Sequence, residues 1–412
     1  MERSDGMVKW MKRWRLFGAA MLLAALGLVT AVAARPAADD LVTVGRRPMA
    51  VAVDARARHA FVVNRLSDTV SIIDMATSRL VRTVPVGLFP SAIALDATRG
   101  RAIVINQVVG RRATVGSLSI LDTREGRVIR TIRMGGQPIG VACDEALGRS
   151  FVMMTSGAVA VVDTTSGSLL TTVRGGPSPA ALVVDDRRHR AFLTDHSGAA
   201  YALDARSGRV LWMRKVGQML QPVAVDRPTG HIFVGDRWAA QVLTLDGDTG
   251  RVLDTVPVGQ GLDPLHIAVD ERTRRVFVLS QNNADGAPGM VSVLDAGTGG
   301  LVGATTVGET PSNLAVDDTA QRVYVTNAGS NTLSVLDARN GRVVRTVPVM
   351  EDSYLLALDT PARQLVVVAG DVTASTRLAR LRQPSPLARI EVLIGRYKAG
   401  GTARVFDTRT LQ

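Results

Sequence analysis

The stretch from Leu314 to Val347 reads LAVDDTAQRVYVTNAGSNTLSVLDARNGRVVRTV, and it holds four short apolar runs. The runs are residues 314–316, 323–326, 333–336 and 343–347. They are rich in β-branched residues, and turn-forming residues such as Asp, Asn and Gly separate them, which is typical of β-strands joined by tight connections. The stretch therefore predicts four consecutive strands, the content of one propeller blade.

The same unit returns along nearly the whole chain. An apolar run ending in Asp opens each copy, and these runs end at Asp54, Asp96, Asp144, Asp185, Asp226, Asp270, Asp317 and Asp359. Successive positions differ by 42, 48, 41, 41, 44, 47 and 42 residues. A period in the low forties is typical of a β-propeller or a related array. A repeat array also explains how 412 residues can form one domain.

A second fixed spacing marks the turn after the third strand of six units. Asp-x-x-x-Gly stands at Asp122 and Gly126, Asp163 and Gly167, Asp204 and Gly208, Asp246 and Gly250, Asp295 and Gly299, and Asp337 and Gly341. The Asp side chain can accept backbone N–H bonds across the turn, and Gly can take the positive φ that the returning strand requires. The spacing therefore predicts a hairpin between the third and fourth strands.

The ends of the repeat array predict how the ring closes. Eight first strands are present, but the eighth unit lacks a fourth strand of its own, and a spare strand stands at Leu41–Gly45. Pairing this strand with residues 403–406 would complete the last blade and remove exposed edges between the first and last units. We therefore predict an all-β fold, a single propeller of eight four-stranded blades, with seven blades as the alternative.

The amino-terminal segment has the layout of a secretory signal. Residues 16–34 carry no charge, follow a basic stretch, and end in the small residues Ala31-Val32-Ala33-Ala34. Its length also permits an uncleaved membrane anchor. We predict a signal peptide or anchor over 1–34, a short linker over 35–40, and the propeller over 41–412. The propeller would lie outside the cytoplasm, where it would be periplasmic, secreted or anchored facing outward.

Composition excludes several classes of site and partner. The single cysteine, Cys143, rules out an internal disulfide, a multi-cysteine metal site and a two-cysteine haem attachment. The formal net charge is +12, but most Arg residues stand singly in predicted turns and aromatic residues are few, so no nucleic-acid surface is expected. We predict no cofactor and no resident metal, and a monomer.

Two local patterns resemble known propeller families. Tyr324-Val325-Thr326-Asn327, and in weaker form Phe61-Val62-Val63-Asn64, resemble the signature of the YVTN family of β-propeller repeat proteins. This resemblance implies the fold over residues 41–412 and leaves function open, since related propellers include binders, surface-layer proteins, lactonases and lyases. Residues 202–212 also resemble the tryptophan-docking motif of quinoprotein dehydrogenases, but the motif occurs once, and no quinone cofactor is predicted.

The predicted mouth of the central channel carries the candidate ligand-binding residues. Loops that link blades, and loops between second and third strands, should meet there and place Trp238 on the same face. The candidates are Asp195, His196, Asp236, Arg237, Asp263, His266, Asn327 and Tyr354. They favour a small polar ligand or a protein partner. The alternative is a metal-assisted lyase or lactonase built from Asp195, His196, Asp263 and His266.

One long insertion interrupts the last blade, over residues 371–401. It carries a basic set that we predict to contact a partner: Arg377, Arg380, Arg382, Arg389, Arg396 and Lys398. A long loop on a rigid scaffold often carries function, and an acidic partner or an anionic lipid surface would suit this one. A solvated loop without a partner is the competing interpretation. Together these features favour an exported binding or scaffold protein over an enzyme.

Overall fold

A computed structural model describes residues 41–107, 115–259, 261–282, 284, 286–370 and 400–411. The predicted signal or anchor, the linker 35–40, and residues 371–399 of the insertion with their six basic side chains lie outside the described residues. In the described part of the chain, no helix has the length and apolar character needed to cross a bilayer.

Thirty-two strands form eight antiparallel four-stranded sheets, and each sheet is one blade. The innermost strands are β2 (Pro48–Asp54), β6 (Pro90–Asp96), β10 (Pro138–Asp144), β14 (Pro179–Asp185), β18 (Leu220–Asp226), β22 (Leu262–Asp270), β26 (Pro311–Asp317) and β30 (Ser353–Asp359). The second strands are β3 (His59–Asn64), β7 (Arg101–Asn106), β11 (Arg149–Met154), β15 (Arg190–Asp195), β19 (His231–Asp236), β23 (Arg275–Asn282), β27 (Arg322–Asn327) and β31 (Gln364–Ala369).

The outer half of each blade follows the same order. The third strands are β4 (Thr69–Asp74), β8 (Ser117–Asp122), β12 (Ala158–Asp163), β16 (Ala199–Asp204), β20 (Gln241–Asp246), β24 (Pro288–Asp295), β28 (Thr332–Asp337) and β32 (Thr402–Asp407). The outermost strands are β5 (Arg79–Pro85), β9 (Arg127–Arg133), β13 (Leu169–Arg174), β17 (Val210–Lys215), β21 (Val252–Pro257), β25 (Leu301–Glu309), β29 (Val343–Pro348) and β1 (Val42–Thr43). A 3₁₀ helix, Thr408–Leu411, follows β32.

The ring closes as the sequence predicts, with eight blades and a borrowed strand. In the eighth blade β1 pairs antiparallel with β32, Val42 opposite Ala403 and Thr43 opposite Thr402. Backbone bonds of 2.9 Å between Val44 and Gly401, and between Gly401 and Gly45, extend this pairing. Innermost strands of successive blades contact one another around the ring, and β2 contacts β30. The prediction of eight blades is confirmed, and the alternative of seven is wrong.

Burial across a blade explains why the four strands differ in sequence. The second strands carry continuous apolar runs because both of their faces pack against neighbouring blades; all but their first residues are buried in β3, β7 and β27. The innermost strands are half-buried in the channel wall, and most residues of the outermost strands are exposed. The core is therefore a series of seams between blades.

The turns after the third strands confirm the Asp-x-x-x-Gly prediction in atomic detail. Asp163 Oδ1 accepts bonds from the backbone N–H groups of Thr165 and Ser166 at 3.1 and 2.7 Å. All six glycines have φ between +61° and +84°. These bonds hold the pKa of Asp163 below its ordinary value, the largest contribution being the bond from Ser166. Each hairpin thus stabilises its own charged turn.

A hydrogen bond that recurs between blades was not predicted from the sequence. The side chain at the start of a second strand reaches the carbonyl that directly follows the third strand of the next blade. The pairs are His59 with Thr123 at 2.9 Å, Arg149 with Ala205 at 2.8 Å, Arg190 with Gly247 at 3.0 Å, His231 with Ala296 at 3.2 Å, and Gln364 with Met75 at 2.7 Å. The last of these joins the eighth blade to the first. Basic and polar residues at this position therefore hold the seams together.

Closure by β1 yields a testable prediction. Val42 is 6% exposed and packs in the seam between the last blade and the first, so Val42→Asp would bury a charge without a partner. We expect the free energy of unfolding to fall by about 3 kcal/mol or more. Denaturant unfolding of a chain that begins at residue 35 measures this loss. Val81→Asp, at a position 54% exposed on β5, is the matched control; an equal loss in both variants would contradict closure through β1.

Candidate functional site

The channel mouth is formed by the residues that follow the second strands and those that precede the innermost strands. Among the described residues, a backbone bond joins these two positions in seven of the blades. Examples are His196 N–H to the Ser178 carbonyl at 2.9 Å and Arg237 N–H to the Met219 carbonyl at 3.0 Å. The mouth is thus a rim of short, hydrogen-bonded connections, which favours a preformed surface.

Three of the predicted ligand residues are buried within their own blades. Asp195, Asp236 and Asn327 each end a second strand and have no exposed surface. Asp195 Oδ1 accepts bonds from the Ser197 N–H at 2.8 Å and hydroxyl at 2.6 Å. Asp236 accepts the N–H groups of Gln218 and Met219 at 2.8 and 3.1 Å. These carboxylates shape the loops of the mouth from beneath.

Asn at the same place makes a recurring polar contact inside the blade. Asn327 Nδ2 donates to the Thr332 hydroxyl at 3.1 Å and to the Ser334 hydroxyl at 2.9 Å. The corresponding sets in the first two blades are Asn64 with Thr69 and Ser71, and Asn106 with Ser117 and Ser119. The Asn of the Tyr-Val-Thr-Asn signature is therefore a structural bond donor inside its blade, where a hydroxyl pair receives it.

A glycine from the preceding connection lies directly against each of these side chains. A Cβ built on Gly308 would stand 2.7 Å from Asn327, and one on Gly87 would stand 2.7 Å from Asn106. A Cβ on Gly217 would stand 2.5 Å from Asp236 Oδ2. A glycine at or just after the end of the outermost strand is needed because the backbone of one blade covers the buried polar group of the next.

The remaining predicted residues contribute contacts across the seams of the mouth. Arg237 Nη2 donates to Asp263 Oδ2 at 2.9 Å, and the two side chains are 32% and 20% exposed. His196 Nε2 lies 3.4 Å from Gln221 Oε1. Tyr354 donates its hydroxyl to the Pro48 carbonyl and so links the last blade to the first. The structure thus brings Arg237 and Asp263 together, whereas Asp195 accepts its hydrogen bonds from its own loop.

His266 lies on β22, in the wall of the channel. Its Nδ1 is buried without a hydrogen-bond partner among the described residues. Burial lowers the pKa of His266 to about 4, because the charged imidazolium is poorly solvated there. The ring is therefore neutral at physiological pH. Within the described residues, no three His, Cys, Asp or Glu side chains gather as a metal ion would require.

Trp238 is the most exposed large apolar side chain of the mouth. It follows Arg237 in the loop between β19 and β20 and is 75% exposed. The loop is fixed on both sides, since the N–H groups of Arg237 and Ala239 bond to the Met219 carbonyl and to Asp236 Oδ1. An exposed Trp beside an Arg, on a loop whose backbone is held by hydrogen bonds, is typical of the anchor residues of protein interfaces.

The close approach of Gly217 to Asp236 leads to a second prediction. Gly217→Ala would place a methyl group 2.5 Å from Asp236 Oδ2 and from Leu220 Cδ2, so the covering backbone must move. We expect a loss of about 1–3 kcal/mol in the free energy of unfolding. Gly303→Ala, on β25 with nothing within 4 Å of the added Cβ, should be neutral or slightly stabilising. Calorimetry measures the free energy of unfolding of both variants. Similar losses in the two would contradict the close packing of Gly217 against Asp236.

Burial of His266 predicts how stability depends on pH. Its pKa falls from 6.5 to about 4 on folding, so the unfolded chain takes up the proton first as the pH drops. Above pH 6.5 protonation of His266 should not reduce the free energy of unfolding. As the pH falls from 6.5 toward 4, the free energy of unfolding should decline by roughly 1–3 kcal/mol. His266→Leu should remove this decline, which thermal unfolding between these pH values would measure. If stability fell with pH as steeply in His266→Leu as in the wild type, His266 would not be the cause of the decline.

Comparisons with known proteins agree with the fold. The structure resembles BamB from Moraxella catarrhalis with a TM-score of 0.60 and 16% identity, over 80% of this chain and 97% of that one. It resembles the computationally designed protein Ika8 with a TM-score of 0.63 and 16% identity, over 80% and 96% of the two chains. The C-terminal WD40 domain of Sif2 gives 0.63 at 9% identity, over 78% and 93%. No curated protein sequence matches the chain.

A family model described as outer membrane protein assembly factor BamB matches residues 2–255 and, in an overlapping alignment, 115–347. Together the two matches span well over half of the 412 residues, including all blades but the last. The repeat period, the eight blades and this match therefore agree. This chain belongs to the BamB-like family of β-propeller proteins.

Proposed function

We propose that this chain is an exported scaffold or binding protein that takes part in the assembly of outer-membrane proteins, in the periplasm or at the cell surface. The family description supports the assembly role, and the basic, then apolar, then small-residue pattern of residues 1–34 supports export as a signal peptide or anchor. The YVTN-type signature at residues 324–327 supports a common repeat origin for the blades.

The observation that carries the proposal is the exposed indole of Trp238 on a fixed loop. Binding costs less when the loop that carries the contacting side chain is already fixed, because less backbone freedom is lost. Arg237 next to it is paired with Asp263, so the neighbouring polar groups offer both charges to a partner at the edge of the contact. A protein surface with an apolar pocket and a polar rim fits this arrangement.

Other predicted residues extend the surface around Trp238. His196 and Arg237 stand on adjacent blades, and both reach across a seam, to Gln221 and Asp263. Together with Trp238 they define a partner face over the fourth, fifth and sixth blades. The basic residues of the insertion, from Arg377 to Lys398, would add an electrostatic contact to an acidic partner or an anionic envelope surface.

The proposal can be tested by crosslinking followed by affinity measurement. A photo-crosslinking amino acid in place of Trp238, in cells of the chain's own host, should capture an envelope protein of the outer-membrane assembly process. Trp238→Ala should then weaken binding of that purified partner by about 30-fold, the usual effect of losing a central aromatic anchor. Calorimetric titration with the mature chain measures this change.

A matched control distinguishes binding at this face from nonspecific association through exposed apolar side chains. Leu211 is 46% exposed on the outer strand β17, away from the mouth, and Leu211→Ala should leave the affinity unchanged. Equal weakening by both variants, or none by Trp238→Ala, would refute the partner face. Loss of the chain should also lower the amount of folded β-barrel protein in the outer membrane, and unchanged amounts would refute the assembly role.

A further inference from the structure

Arginine lies at the channel mouth in two neighbouring segments of the first blade. Of the eight connections that lead into an innermost strand, only the first contains Arg, namely Arg46 and Arg47 just before β2. The loop after the second strand of the same blade begins with Arg65. The Arg65 N–H bonds to the Arg47 carbonyl at 2.9 Å. The Leu66 N–H bonds to the Arg46 carbonyl at 3.1 Å. The two segments therefore bring three arginines to one place on the rim.

The side chain of Arg65 is held in position by the second blade. Its Nη1 donates to Gln107 Oε1 at 3.1 Å, and its guanidinium lies 5.9 Å from the centroid of the Phe89 ring. The backbone of Phe89 is fixed in turn. Its N–H bonds to Asp68 Oδ1 at 2.7 Å, and its carbonyl accepts the Gln107 N–H at 3.2 Å. The guanidinium is thus preorganised across the seam between the first and second blades, which lowers the cost of binding.

The charge of Arg65 meets a neutral amide where a related arginine meets a carboxylate. Arg237 occupies the same place in the fifth blade, and its partner in the next blade is Asp263, at 2.9 Å. Among the described residues, no carboxylate pairs with Arg65. Burial, and then the neighbouring charge of Arg47, lower the pKa of Arg65. Two like charges therefore lie close together, and an anion bound beside them would reduce their repulsion.

An exposed apolar side chain adjoins these cations. Leu88 directly precedes Phe89 in the connection to the second blade and is 52% exposed. The same connection is held by a bond of 2.9 Å from the Val86 N–H to the Asp68 carbonyl. A surface this open buries too little of a small molecule, whereas it can bury one side chain that a larger molecule presents. The arrangement therefore suits a protein partner.

We propose that this part of the mouth binds an acidic segment of a partner protein, in which an Asp or Glu stands next to an apolar residue. The carboxylate accepts bonds from the Arg65 guanidinium, whose planar fork suits two-oxygen acceptors, and is attracted by the charge of Arg47. The apolar side chain packs against Leu88. This inference is independent of the partner face around Trp238, because it concerns the first two blades.

A short acidic peptide tests the site directly. The peptide acetyl-Gly-Glu-Leu-Glu-Leu-Gly-amide, added to an isotope-labelled chain that begins at residue 35, should shift the amide NMR signals of Leu66 and Leu88 in a saturable way. The midpoint should be on the order of 1 mM, as expected for a ligand this small. The amide of Ala328, which follows the second strand of the seventh blade, should not move. No saturable shift at up to about 20 mM, or equal shifts with Gln in place of both Glu residues, would overturn the proposal.

Removing one charge at a time separates this site from general attraction by a basic protein. Arg65→Gln should weaken peptide binding by about tenfold, since a charged hydrogen bond is lost. Arg82→Gln is the matched control, because Arg82 belongs to the same blade but lies exposed on the outer strand β5. It should leave the affinity unchanged. Equal weakening by the two substitutions would overturn the proposal.

A carboxylate supplied from within should occupy the site. Gln107→Glu keeps the size of the side chain and places a negative charge next to Arg65 Nη1, as Asp263 does for Arg237 in the fifth blade. We expect peptide binding to weaken by about tenfold while the thermal midpoint stays equal or rises slightly. This variant serves if Arg65→Gln fails to fold. Wild-type affinity in Gln107→Glu would overturn the proposal.

Lipid vesicles distinguish an acidic protein segment from a lipid headgroup, since a phosphate offers oxygens of the same kind. The wild type and Arg65→Gln are sedimented with vesicles of phosphatidylglycerol and, for comparison, of phosphatidylcholine. We expect Arg65→Gln to sediment with either kind of vesicle to the same extent as the wild type. Vesicle binding that depends on Arg65, in a chain that does not bind the peptide, would overturn the proposal in favour of a membrane contact.

Discussion

The structure depends on one constraint, namely that every second strand must be buried on both faces by the blades beside it. No blade meets this condition alone, so stability comes from the seams, and the ring must close for the last seam to exist. The pairing of β1 with β32 is how the chain meets that condition. Bonds such as that from Gln364 to the Met75 carbonyl then fix the neighbouring blades in rotation, which gives the channel mouth a defined shape.

The same constraint decides which polar residues remain for binding. A residue at the end of a second strand sits beneath the covering backbone of the preceding connection, so Asp195, Asp236 and Asn327 serve the fold. One and two residues after Asp236, the side chains of Arg237 and Trp238 reach the surface. A shift of one or two positions therefore separates structural carboxylates from residues that a partner can reach.

The fold could be predicted from sequence because its signals are local: apolar runs, Asp-x-x-x-Gly turns and a constant period. Membership of the mouth was also predictable, since strand order assigns each loop to one end. The burial of Asp195 was not, because it depends on Gly176, which belongs to the preceding blade. Nor was the charge environment of Arg65, because its hydrogen-bond partner Gln107 belongs to the next blade.

Additivity between neighbouring repeats explains why one seam can differ without endangering the ring. Replacing Asn by Met154 removes two hydroxyl bonds that contribute about 1 kcal/mol each, but it also removes the cost of burying an amide. Five other seams keep a side-chain bond between blades, as between Arg190 and Gly247. A repeat protein can therefore change the polar residues of one blade while the other seams hold the fold. Departures at the end of a second strand, such as Met154 in the third blade and Asp195 in the fourth, are accordingly compatible with a closed ring.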